Sequence, residues 1–92
     1  VSAVLLSQAR YLLTAGYGVT VVARSGGSEQ ALVHEGAAFV ELRGDGLSAR
    51  LTHWAAICRE HRIDVVVDHQ VLYTKQWPEF ALVARAEGAV TI

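Results

Sequence analysis

The apolar residues of this chain switch repeatedly between helical and strand spacing. A stripe at helical spacing runs through residues 1–15 and ends at Gly16, and a short β-branched run follows at 19–23. The stripe consists of Val1, Val4, Leu5, Ala9, Leu12 and Leu13. The same alternation continues to the end of the chain, and Pro78 suits the first turn of the last helix. In chain order the pattern predicts helix 1–15, strand 19–23, helix 28–36, strand 38–43, helix 47–62, strand 65–67, helix 78–88 and strand 90–92.

Regular alternation of helices and strands predicts an α/β fold with a Rossmann-like parallel sheet and helices on both faces. Chains of this class normally open with a strand that lies at the centre of the sheet. The pattern here opens with a helix instead, and the sequence contains no Met. We therefore expect residues 1–92 to be a fragment of one domain whose sheet is incomplete because the first central strand is missing. Such a piece would need further residues, a rearrangement or self-association to complete its core.

Composition and charge exclude several classes of protein. Apolar residues make up 52% of the chain, which is typical of a folded domain. The formal net charge is −1 and the basic residues are dispersed, so no nucleic-acid surface is predicted. Cys58 is the single cysteine, which rules out an intrachain disulfide, and no apolar run reaches the roughly 18 residues of a membrane span. His53, Cys58 and His61 share one predicted helix but do not converge, so no metal site is predicted.

Three stretches resemble one enzyme family. Residues 1–22 read VSAVLLSQARYLLTAGYGVTVV, a helix, a Gly16 stop and a valine-rich strand. The sequence DVVVDH, which ends at His69, is similar to a D-V-V-H-x-H motif, with Val67 in place of the first His. The stretch EGAVTI at 87–92 is similar to a G-x-P-V-V segment. Together these stretches resemble the N-terminal domain of GT-B glycosyltransferases of the family-4-like type.

This resemblance implies transfer of a sugar from a nucleotide-sugar donor to a sugar, lipid or polymer acceptor. The family's C-terminal domain binds most of the donor, without a metal or other cofactor, and these residues include no such domain. The resemblance therefore implies that this piece is inactive alone and contributes the acceptor side of a cleft in a cytoplasmic enzyme, or one peripheral to the inner membrane face. We predict the missing C-terminal domain as its partner and no nucleic-acid partner.

Candidate ligand contacts follow from the position of the loops. Ligands of open parallel sheets bind beyond the carboxyl ends of the strands. The predicted loops there are 24–28, 43–46 and 68–76. The resemblance places an acceptor at the last of these loops, and phosphate or sugar near the start of the first helix. The predicted substrate-binding residues are His69, Gln70, Tyr73, Lys75 and Ser2.

Two alternatives remain open at the level of sequence. The first is an NAD(P)-binding Rossmann domain of a short-chain-type oxidoreductase, because Arg24 follows the second strand of that fold, where a 2′-phosphate is bound. Against it, bulky Val4 and Leu5 stand where the last glycine of the dinucleotide fingerprint is expected. The second alternative is a non-catalytic interaction domain that kept the fold without the chemistry, which Val67 in the motif keeps open.

Overall fold

The computed structural model describes residues 3–23, 28–67, 69 and 76–92. These residues form helices and strands in the alternating order that the sequence pattern predicts. The helices are α1 (Ala3–Thr14), the 3-10 helix η1 (Ser28–Glu35), α2 (Leu47–Glu60) and α3 (Trp77–Ala86). The strands are β1 (Thr20–Ala23), β2 (Ala38–Glu41), β3 (Val65–Val66) and β4 (Val90–Thr91). The chain divides into two compact units, Val1–Leu42 and Arg43–Ile92.

In the first unit, β1 and β2 form a two-stranded parallel sheet. Thr20 pairs with Ala38 at one end of the ladder and Ala23 with Glu41 at the other. Parallel neighbours cannot be joined by a tight turn, so the chain crosses between them through η1. The core of this unit lies where α1 and η1 meet the sheet, and Leu32 of η1 is its most buried side chain at 0% exposed. Ala9, Val21 and Ala37 complete the centre of this cluster.

In the second unit, β3 and β4 form a separate two-stranded parallel sheet, with Val65 opposite Val90. The connection between them contains α3, which contacts both β4 and α2. Trp54 fixes the two helices to each other. Its indole N–H donates to the Phe80 carbonyl at 2.9 Å, and the two rings meet edge to face with centroids 5.8 Å apart.

The α/β class is thus confirmed, and the strands that pair do so in parallel. The described residues show two separate two-stranded sheets rather than one continuous Rossmann-like sheet. Every predicted element is present, but the strands are shorter than predicted. The predicted strand 38–43 ends at Glu41, although the N–H of Leu42 still donates to the Ala23 carbonyl at 2.7 Å.

The structure corrects the predicted burial of α1 and of the segment 65–67. Val4 belongs to the predicted apolar stripe of α1, yet it is 60% exposed, while Leu6, outside the stripe, packs on the core. The segment 65–67 is not the fully buried strand expected of a parallel sheet, because Val65 is 52% and Val67 42% exposed and only Val66 is buried. In both places the apolar pattern was identified correctly, but the side chains of Val4, Val65 and Val67 stay exposed because no described residue covers them.

The helical spacing of the apolar residues in α2 predicts a buried face made of Leu47, Leu51, Trp54, Ala55 and Cys58. The structure confirms this face in part. Trp54 and Cys58 are buried, whereas the other three are half-buried. Ile57 was missed, although it is as deeply buried as Cys58. The buried stripe is therefore turned slightly toward Ile57 from the predicted one.

Each described helix ends with the same hydrogen-bonded motif. The second residue after the C-cap donates its N–H to the carbonyl five residues earlier, and the first residue after the C-cap has a positive φ. Three helices place Gly16, Gly36 and Gly88 at this left-handed position. The end of α2 places Arg62 there, with φ of 51°, and Ile63 donates to the Cys58 carbonyl at 3.0 Å.

Replacing Arg62 by glycine is expected to stabilise the chain. A side chain with a Cβ is strained in the left-handed region, and glycine is not, so Arg62→Gly should raise the free energy of unfolding by about 0.5–1 kcal/mol. Urea unfolding of the two proteins measures the difference.

The neighbouring residue provides the control for this prediction. His61 has a negative φ of −89°, so glycine relieves no strain there and His61→Gly should lower stability by roughly 0.5–1 kcal/mol. Equal effects of the two substitutions would show that the left-handed cap at Arg62 carries no strain.

Candidate functional site

The predicted acceptor contact His69 lies just beyond β3, on the carboxyl side of that strand. Its side chain is half-buried, and no hydrogen bond connects it to another side chain within the described residues. The imidazole is therefore held near the sheet while remaining partly open to a ligand. This placement agrees with the general position of ligand sites in parallel sheets.

The other predicted contacts cannot be placed. Ser2, Gln70, Tyr73 and Lys75 lie outside the described residues, and so does Arg24. The roles predicted for these side chains stay predictions. Of the three predicted loops, 43–46 is described in full, while 24–28 and 68–76 are described only in part.

The loop Arg43–Gly46 follows β2 and leads directly into α2. Its first residue is held by a side chain of that helix, because the backbone N–H of Arg43 donates to Nδ1 of His53 at 2.9 Å. An imidazole nitrogen that accepts a hydrogen bond carries no proton, so this contact requires the His53 tautomer with its proton on Nε2. Nothing in the residue pattern predicts this contact, since a side-chain bond to a backbone N–H ten residues away leaves no periodic signature.

Gly44 brings the same loop into direct contact with the first turns of α2. Its φ is +143°, and a Cβ built on it would lie 2.6 Å from the backbone nitrogen of Arg50 and 2.7 Å from the carbonyl carbon of Ala49. No side chain fits in that space. The loop backbone is therefore held against the helix at Gly44 and by the hydrogen bond at Arg43.

A further side-chain hydrogen bond reaches Gln76, the last residue of the predicted loop 68–76. A guanidinium nitrogen of Arg50, Nη2, donates to Oε1 of Gln76 at 3.4 Å. Arg50 follows Gly46 by one helical turn, and its own N–H donates to the Gly46 carbonyl at 3.2 Å. The start of α2 thus carries contacts to the loop after β2 and to the residue that ends the loop after β3.

Cys58 is buried in the core and offers no reactive thiol. It is 1% exposed, and burial, assisted by the negative charge of Glu87, raises the pKa of its thiol. Glu87 itself pairs with Arg59 at 3.1 Å. Within the described residues no three His, Cys, Asp or Glu side chains are grouped as metal ligands would be.

An open groove runs over α2 and α3, and His69 is not among its lining residues. It is lined by Leu47, Ser48, Leu51, Thr52, Ala55 and Val83. Its lining is mostly apolar and contains none of the charged or aromatic residues that would orient a sugar or a phosphate. The polar residues beyond β2 and β3 are therefore the better candidates for a ligand site.

Two further observations concern membrane-spanning helices and similarity to known proteins. In the part of the chain that the structure describes, no helix combines the length and apolar character needed to cross a bilayer. Searches against family models, curated proteins and solved structures give no match for this chain. The function has to be inferred from the chain's own residues.

Substituting Gly44 should disrupt the start of α2. Gly44→Ala places a methyl group against helix backbone that cannot move aside, at a φ that alanine disfavours, so stability should fall by more than about 1 kcal/mol. Gly18→Ala is the matched control, because Gly18 has open space around it and no positive φ. Urea unfolding should show a change within about 0.5 kcal/mol for Gly18→Ala. A mild Gly44→Ala variant would show that the loop does not lie against α2.

The Cys58 thiol should resist alkylation in the folded chain. Because its pKa is raised, little thiolate exists near pH 8, and burial blocks access. Iodoacetamide should react at least about tenfold more slowly than with the urea-unfolded chain, by analogy with buried structural thiols. The sign for stability follows: the buried thiol contributes fully below the ordinary thiol pKa, and this contribution is lost as pH rises through the raised pKa.

A double variant controls for reagent and conditions. Cys58→Ala combined with Ser48→Cys moves the thiol to an exposed position on the same helix. That thiol should react at nearly the same rate in the folded and unfolded states. Rapid alkylation of Cys58 in the folded chain would contradict the buried position of its side chain.

Proposed function

We propose that this chain is the acceptor-side part of a GT-B glycosyltransferase, which moves a sugar from a nucleotide donor to an acceptor. The order of elements supports the proposal, since helices and parallel strands alternate from α1 to β4 as in the N-terminal domain of that family. The stretches around Gly16 and His69 add the resemblance in sequence. On this proposal, residues 1–92 are inactive alone and belong to a larger enzyme.

The observation that carries the proposal is the position of His69. It follows β3 on the carboxyl side of the strand, with a half-buried ring that bonds to no other described side chain. A neutral imidazole carries one donor and one acceptor nitrogen, so it can donate to or accept from a sugar hydroxyl. We assign it to the acceptor, together with Gln70, Tyr73 and Lys75 of the same loop, and Ser2 to a phosphate or sugar near α1.

The strand pairing supports an incomplete Rossmann-like sheet. β1 pairs only with β2, and β3 only with β4, among the described residues. A doubly wound sheet has its first strand between these two pairs. We propose that the parent protein supplies this strand, and that a C-terminal domain supplies most of the donor site without a metal.

An NAD(P)-binding domain of an oxidoreductase is the second candidate. One observation favours it: β1 ends at Ala23, so Arg24 comes directly after the carboxyl end of this strand. In dinucleotide-binding domains an Arg near that point accommodates the 2′-phosphate of NADP. This candidate places the ligand at the end of β1, whereas the glycosyltransferase places the acceptor at the end of β3.

Ligand binding separates the two candidates. The protein to use is the product of the longest reading frame that contains residues 1–92, measured beside the 92-residue chain by calorimetry. A glycosyltransferase should bind a UDP- or GDP-sugar in the longer protein and not in the chain alone. NADPH binding without nucleotide-sugar binding would overturn the glycosyltransferase in favour of the oxidoreductase. Binding of neither a nucleotide sugar nor NADPH would favour the non-catalytic interaction domain.

His69→Ala tests the acceptor role in the longer protein. Losing one hydrogen bond to a sugar should raise the KM for the acceptor by about tenfold, with donor affinity unchanged. His34→Ala is the control, because His34 is exposed on η1 and lies far along the chain from this loop. Equal acceptor KM values for the wild type and His69→Ala would remove His69 from the site.

A further inference from the structure

The imidazole of His53 joins the loop after β2 to helix α2 through a bond that only one protonation state can make. Its Nδ1 accepts the N–H of Arg43 at 2.9 Å. Both nitrogens of an imidazolium are donors, so protonation removes the acceptor and sets two N–H groups against each other. We propose that His53 is a pH-dependent latch, which holds the loop Arg43–Gly46 on α2 when neutral and releases its first residue when protonated.

Loss of this hydrogen bond is expected to change the backbone conformation of the loop. Asp45 and Gly46 are exposed, and Gly46, at the N-cap of α2, has no side chain that could cap the helix. The remaining contacts with α2 are the close backbone approach of Gly44, at φ of +143°, to Arg50 and Ala49, and the hydrogen bond from the Arg50 N–H to the Gly46 carbonyl at 3.2 Å. With Arg43 free, residues 43–45 can leave this constrained conformation, which is available mainly to glycine.

The charged side chains to consider beside His53 are those of its loop, of α2 itself and of α3, the helix that packs on α2. The loop contributes Arg43 and Asp45, and α2 contributes Arg50, three residues before His53 and thus on a neighbouring position of the helix surface. On α3 and just after it, the charged side chains are Glu79, Arg85 and Glu87. Glu87 pairs with Arg59, so its charge is directed elsewhere on α2.

The latch is independent of the proposed function, because it can be measured in the 92-residue chain without any ligand. Long-range ¹H–¹⁵N spectra of the imidazole at pH 8 should show the proton on Nε2 of His53. Amide spectra recorded from pH 8 down to pH 5 should show Arg43 and Gly44 shifting together with the His53 ring. The protection of the Arg43 amide against hydrogen exchange should fall by about fivefold, the factor for one modest hydrogen bond.

Two substitutions at the same position make the test specific. His53→Asn places an amide oxygen where Nδ1 stands, so the bond should persist and Arg43 protection should be equal at both pH values. His53→Ala should give low protection at both. His61→Asn is the control, because His61 follows the same helix and its variant should keep the full pH response.

Three results would overturn the proposal. They are a proton on Nδ1 of His53 at pH 8, an Arg43 amide that is equally protected at both pH values in the wild type, and a pH response of Arg43 that survives in His53→Asn. The first two use only the wild-type chain, so they decide the question even if a variant fails to fold.

Discussion

Each pair of parallel strands in this chain depends on the helix that crosses between them. A parallel pair cannot be closed by a hairpin, so its two strands stay in register only if the connecting helix packs back on the sheet. In the first unit Leu32 of η1 makes this contact and is completely buried. In the second unit α3 makes it with small residues, since Ala81 and Ala84 are its buried side chains. Small residues let a helix approach closely, and the strands they support are only two residues long.

The order and type of the elements could be predicted because periodicity and helix stops are local signals. Gly16, Gly36 and Gly88 mark three helix ends in sequence, and the structure has each of them in the left-handed cap. The fourth end could not be recognised in this way, because Arg62 gives no such signal. Exposure was predicted less well. Val4 and Val65 lie on apolar faces, but the pattern does not say whether any other element covers those faces.

The candidate site shows the same division between local and nonlocal information. The position of His69 followed from a strand and its carboxyl end, which a sequence reveals. The bond from Arg43 to His53 joins a loop to a helix through one nitrogen, and nothing in the spacing of residues encodes it. Gly44 was predicted as part of a turn, but its contact with Arg50 depends on how closely the loop meets α2, which only the packed structure defines.

The two candidate functions make different demands on the two units. An NAD(P) site would use the end of β1, in the unit whose core is built on Leu32. An acceptor site would use the end of β3, where Val66 is the one buried strand residue and the sheet leaves Val65 and Val67 exposed. A precise ligand site needs a rigid support, and the second unit gains that support at the start of α2, through Arg50, Gly44 and His53. If the acceptor binds beyond β3, the hydrogen bond from Arg50 to Gln76 joins the first turn of α2 to the residue at which the loop after β3 ends.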